Sequence, residues 1–165
     1  ESGAVVLDAA GVNNVLTSIE PVVDLTISSV TITGGIGWVD PFGDRSGGGI
    51  SVHTDGGTGS VVLSDVVISG NSAVTGGGLF IWGADATLTD VEIVGNTATS
   101  WTGGAVLTDG AASLTRVNVA ENHGGYTVRG DSYDGIARST SYRGKPDHQG
   151  QEPRVPQEIQ GGKAV

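Results

Sequence analysis

Through residue 123, apolar and polar positions alternate in short runs. Val61 and Leu63 are followed, after the polar pair Ser64-Asp65, by Val66 and Ile68; Ala86 and Leu88 are followed, after Thr89-Asp90, by Val91 and Ile93. Period-two alternation in β-branched residues, interrupted by a polar bend, predicts two short strands meeting at a corner. A glycine block then opens a third strand. It precedes Ile50-Ser51-Val52, Leu79-Phe80-Ile81 and Val106-Leu107-Thr108, with Ile50, Leu79 and Val106 as equivalent inward positions. No helical periodicity intervenes.

The pattern repeats in register. Leu63–Asn71, Leu88–Asn96 and Leu114–Asn122 are three copies of one line at a spacing of about 25 residues, and a fainter version, Ile27–Gly35, precedes them. Such self-similarity means one structural unit stacked on itself. A β-sandwich spaces its strands similarly but does not repeat one sequence in register. The expected fold is all-β: a parallel β-helix, a single-stranded solenoid of about four to five coils, with like positions stacked about 4.8 Å apart. Val5–Asp8 and Asn14–Thr17 read as a further coil at the N-terminus. The inward columns Val30/Val66/Val91/Val117 and Ile32/Ile68/Ile93/Val119 form the core. Asn71, Asn96 and Asn122 form a structural ladder at one corner, where asparagine tolerates left-handed backbone and can bridge to the next coil.

The succession apolar-x-Gly-Asn, a short variable loop, then Gly-Gly-small-apolar resembles the repeat of bacterial β-helix surface proteins of the pectin-lyase-like superfamily. It is most similar to the Gly-Gly-Ala-Ile and Phe-x-x-Asn repeats of the polymorphic outer membrane proteins. Over residues 1–123 the resemblance implies right-handed winding and a secreted, cell-surface or outer-membrane setting. It implies no particular activity, because that superfamily holds lyases, glycosidases, adhesins and autotransporter passengers alike.

Composition narrows the picture. Of the 165 residues, 29 are glycine, well above the usual share of about 7 %, and they cluster before apolar residues as turn residues do. The absence of cysteine excludes disulfides and thiolate metal sites. A net charge of −10 argues against nucleic acid and anionic membranes as partners. No apolar run approaches the roughly 18 residues of a membrane span. Neither a signal peptide nor any methionine is present, so the chain reads as a mature piece of a larger parent chain. Charge also divides it: Arg45 and Arg116 are the only Lys or Arg residues up to position 123, whereas Arg129, Arg138, Arg143, Lys145, Arg154 and Lys163 follow. With alternation lost as well, residues 124–165 are expected to be a disordered or out-of-register tail.

Chemistry-bearing residues are few. The bend column Ser29, Asp65, Asp90, Arg116 stacks two aspartates near the carboxyl separation of about 5–5.5 Å of a retaining glycosidase, but any in-register aspartates in a solenoid share that spacing. Asp65 and Asp90 are weak candidates for Ca²⁺ binding, and Arg116 is placed to neutralise Asp90. The resemblance implies, for lyases, an acidic Ca²⁺ cluster with a basic residue as base and, for polygalacturonases, Gly-His-Gly and Arg-x-Lys motifs; the coils carry neither. No catalytic residue is assigned. His53-Thr54-Asp55 reads as a solvated turn. Phe80 and Trp82 alternate with inward Leu79 and Ile81 and should point outward. Trp38 and Trp101 lie in variable corner loops, where they either cover the loops' own apolar surface or extend a platform for sugar rings or a partner protein. Arg129-Gly130-Asp131 matches the integrin-recognition tripeptide, a short motif of low specificity. The function expected is a non-catalytic, adhesin- or stalk-like surface, carbohydrate or a surface protein being its partner. The alternative is a non-catalytic portion of a secreted polysaccharide lyase or glycoside hydrolase.

Overall fold

The computed structural model describes residues 5–39, 43, 45–54, 58–100, 102–124, 126–130, 133–140 and 159–160. All regular structure in them is β. Six strands build one long sheet: β1 (Val5–Asp8), β3 (Val22–Thr33), β7 (Thr58–Ser69), β10 (Asp85–Val94), β13 (Ala112–Ala120) and β15 (Tyr133–Thr140). They stack in parallel in that order, and β16 (Ile159–Gln160) closes the far edge antiparallel. The strands that follow or contain the glycine blocks join β2 (Leu16–Ser18) in a second parallel sheet: β6 (Ile50–His53), β9 (Leu79–Trp82), β12 (Thr102–Thr108) and β14 (Tyr126–Gly130). Short β8 (Ser72–Ala73) and β11 (Thr97–Ala98) pair in parallel, while β4 (Trp38–Val39) and β5 (Arg45–Ser46) form a small antiparallel hairpin. Each pass of the chain adds one strand to each long sheet, an arrangement that fits a parallel β-solenoid. No helix among the described residues is long and apolar enough to cross a membrane.

Register explains the core. Leu63, Leu88 and Leu114 are paired neighbours, as are Ile68, Ile93 and Val119, and all are buried against inward Val52, Ile81 and Leu107 of the second sheet. The N-terminal coil is as expected, with Val5 paired to Val30 and Leu16 to Ile50.

The third strand departs from expectation in one copy. Ala105, not Val106, pairs with Leu79, and Val106 pairs with Phe80. The block that aligns is Gly77-Gly78 with Gly103-Gly104, because a Cβ on Gly77 would meet Thr97 O at 2.5 Å and Gly103 O at 2.6 Å. That close approach fixes the glycines over one another and moves every following residue by one position, which exchanges the two faces. Ala105 and Leu107 therefore fill the core.

The corners also resolve differently. Ser29, Asp65, Asp90 and Arg116 all have left-handed backbone, with φ of 54°, 55°, 54° and 52°. The bend is thus a single left-handed residue within a continuous strand, and Asp is among the few residues that adopt it at low cost. At the asparagine corner the left-handed residue is the one before each asparagine: Gly70 (φ 66°), Gly95 (φ 63°) and Glu121 (φ 55°). The asparagines themselves are not left-handed. A glutamate held there carries a strain of about 1–2 kcal/mol, part of which glycine's extra chain entropy would offset. Glu121→Gly should therefore stabilise the fold by about 0.5–1 kcal/mol, read as a raised denaturant midpoint at unchanged slope.

The repeat does not stop at residue 123. β14 pairs in parallel with β12, and β15 pairs in parallel with β13, so the tail expected from residue 124 is replaced by a further coil through Thr140. Its register shifts between Thr102 and Ala105 on one sheet and between Leu114 and Val117 on the other. Those irregularities are why the sequence loses its repeat there. Most of residues 141–165 lies outside the described residues.

Candidate functional site

In β6 and β9 the inward residues are Ile50, Val52, Leu79 and Ile81, each fully buried. Alternation then turns Ser51, His53, Phe80 and Trp82 to the outer face, and register sets Ser51 beside Phe80 and His53 beside Trp82. The end of β6 is pinned to β9, because Thr54 donates both its N–H (3.0 Å) and its hydroxyl (3.3 Å) to the Trp82 carbonyl. The β4–β5 hairpin brings Trp38 onto the same face, and Arg45 holds that hairpin by donating to the Gly37 carbonyl at 3.1 Å.

The rings meet around the histidine. His53 stacks on Phe80 with centroids 4.8 Å apart and planes 24° apart; Trp38 and Trp82 each meet it edge-on at 5.7 Å. His53 is only 7 % exposed, whereas Trp38, Phe80 and Trp82 are half-buried. The solvated turn expected at His53 is therefore the buried centre of an aromatic cluster. Its signal lay in the alternation, which places position 53 in the same outward column as Trp82. Trp82 extends the cluster by donating its indole N–H to the carboxylate of Asp109, a left-handed residue (φ 57°) just beyond β12. Asp109 belongs to a different coil, and nothing local in the sequence marked it. Ser51 is fully buried, and its hydroxyl has no hydrogen-bond partner. Trp101 and Asp131 lie outside the described residues; Arg129 and Gly130 belong to β14.

The aspartate column is occupied by backbone and salt-bridge duties. Arg116 grips Asp90 with both ends, Nε to Oδ1 at 2.5 Å and Nη2 to Oδ2 at 2.6 Å. Both oxygens of Asp90 are thereby engaged, which takes away half of the donor pair considered for Ca²⁺. Hydrogen bonding to Arg116, reinforced by its charge and only partly opposed by desolvation, holds the Asp90 carboxyl below the usual carboxylate range. A depressed pKa favours the folded state at any pH above the unfolded-state value, and the contribution fades as pH falls through the lower, folded-state value. Both side chains are largely exposed, so the effect on stability is small. In an NMR titration Asp90 should protonate at lower pH than in the Arg116→Ala variant; coincident curves would mean the pair does not persist in solution.

The asparagine ladder is fully bonded. Asn96 donates from Nδ2 to the Ile68 carbonyl (2.9 Å) and to Asn122 Oδ1 (3.0 Å), and its Oδ1 accepts from the Asn71 N–H and Nδ2, both at 3.0 Å. Asn71 Oδ1 in turn accepts from the Gly35 N–H at 2.9 Å. All three asparagines are buried. They tie coil to coil and offer no free chemistry to a ligand.

No family model matches the chain, and no curated protein or solved structure matches it either.

Proposed function

We propose that the chain is a non-catalytic binding surface: a right-handed parallel β-helix of the pectin-lyase-like kind, displayed outside the cell and contacting carbohydrate through the outer face of its second sheet. The observation that carries this reading is the gathering of Trp38, Phe80 and Trp82 around His53 from the hairpin and two stacked strands. Half-buried rings on a rigid sheet lose little conformational entropy when a sugar ring stacks on them. The repeat supports the setting, since stacked coils make a stiff scaffold whose outer positions vary while the inner ones do not. Of the two aspartates stacked at the bend, Asp90 is held by Arg116, which weighs against a hydrolytic couple at that position. Retention on insoluble polysaccharide, with reducing ends assayed in parallel, tests the proposal. Retention without new reducing ends supports it. Released oligosaccharide would favour the hydrolase or lyase alternative, and failure to retain any glycan would remove the carbohydrate part of the reading.

A further inference from the structure

The charges around the aromatic face decide which glycans it can take. Polyuronates and sulfated glycans need cations to offset their charge. Through residue 123 the chain offers only Arg45 and Arg116; Arg116 is neutralised by Asp90, and Arg45 pairs with Val39, next to Trp38 on β4, so alternation turns it to the other side of the hairpin from Trp38. Arg129 pairs with Val106, which itself pairs with Phe80. That sets Arg129 two strands from Phe80, about 9–10 Å along the sheet, roughly one Debye length in physiological salt. Among the described residues, the charged group hydrogen-bonded to the rings is an acid, Asp109, on the Trp82 indole. On a chain of net charge −10, with Asp109 at the rings, an anionic polymer is repelled from this face.

A cationic ligand is disfavoured for a different reason. Aromatic cages bind ammonium groups between ring faces. Here the space between the rings is filled by His53, stacked on Phe80 and bordered edge-on by Trp38 and Trp82. What is left is the outer side of half-buried rings, with a carboxylate at its margin. That combination suits an uncharged ring with an apolar face for stacking and hydroxyls that donate to a carboxylate, since hydrogen bonds to a charged acceptor are the stronger kind.

We propose that the outer face of the second sheet, formed by Trp38, Phe80 and Trp82 with Asp109 at its edge, binds uncharged glycans and rejects polyuronates. The assignment rests on the reading of that face as a carbohydrate-binding surface. The test is affinity electrophoresis of the whole chain in gels containing a neutral β-glucan, polygalacturonate or chitosan, at low and at physiological salt. At physiological salt, where the attraction of polycationic chitosan for a chain of net charge −10 is screened, retardation is expected in the neutral glucan alone, and there it should be insensitive to salt. Asp109→Asn should weaken it about tenfold or more through loss of a charged acceptor, and Trp82→Ala should abolish it. Both variants are first checked for the wild-type melting temperature, with Asp109→Asn, the near-isosteric change, as the safeguard should Trp82→Ala not fold. Arg129→Gln should leave neutral-glucan binding unchanged. Retention by polygalacturonate or chitosan, with none by the neutral glucan, would overturn the charge assignment while leaving a carbohydrate surface in place. Retention by none of the three would overturn both.

Discussion

Truncation after His123 is expected to cost about 4 kcal/mol and to make the remaining chain prone to association. It removes β14 and β15, which lie directly on β12 and β13, and so uncovers the last inward columns: Leu107, Leu114, Val117 and Val119, each now at most 3 % exposed. The other end of the stack shows what becomes of such residues without a covering strand. Leu25 and Ile27, in β3 beyond the reach of β1, are only half-buried. Fully burying a Leu or Val side chain contributes about 1.5–3 kcal/mol. Losing roughly half of that at four positions gives the quoted figure, a large part of the 5–15 kcal/mol that holds a typical domain folded. Two bare strand edges would also be presented for pairing with other chains. The measurements are a denaturant melt and the monomer fraction by light scattering. Truncation after Thr140 keeps both strands and should cost much less. Equal, undiminished midpoints for the two truncations would show that the cooperative unit ends at residue 123 after all.

The sequence carried the stack far better than its exceptions. Repeated Leu63, Leu88 and Leu114 with Ile68, Ile93 and Val119 could be aligned by eye, and those alignments are the observed pairings. Where one residue is gained or lost, alignment fails although the backbone continues. Val106 follows the glycines, which makes it the expected inward residue, but the close stacking of Gly77 on Gly103 decides the register. The coil through Thr140 is illegible in the sequence for a similar reason, since its pairing shifts register on both sheets. The candidate site was half legible. Alternation alone turned Phe80 and Trp82 outward, whereas the arrival of Trp38 on a hairpin and of Asp109 from the coil beyond depends on how loops cross between coils. No local pattern encodes that. The aspartate column teaches the converse: a chemically suggestive repeat, Asp65 and Asp90, turns out to be a repeated left-handed corner.

Asn96→Leu should cost about 3–4 kcal/mol, the largest effect expected of a single substitution in the ladder. Leucine is close to asparagine in size, so the loss is one of hydrogen bonding rather than of volume. The Asn71 N–H would lose its acceptor, Asn71 Nδ2 one of its acceptors, the Ile68 carbonyl its side-chain donor and Asn122 Oδ1 one of its two donors, all inside a corner closed to water. Each buried polar group left unsatisfied costs about 1–3 kcal/mol, reduced where a second partner remains. Asn71 Nδ2 does keep two, the Ile32 carbonyl at 3.0 Å and the Ser69 carbonyl at 3.1 Å, which is why the total stays below the simple sum. Asn122 sits one rung further along, donating to the Ile93 carbonyl and accepting from Asn96. Asn122→Leu also orphans the Asn96 N–H, yet it spares every bond to Asn71, so its cost should be smaller. Because neighbouring rungs share bonds, the double variant Asn96→Leu/Asn122→Leu should cost less than the two singles added. Additive losses in denaturant melts would mean that each asparagine acts only within its own coil, and the ladder would then be a row of independent corners.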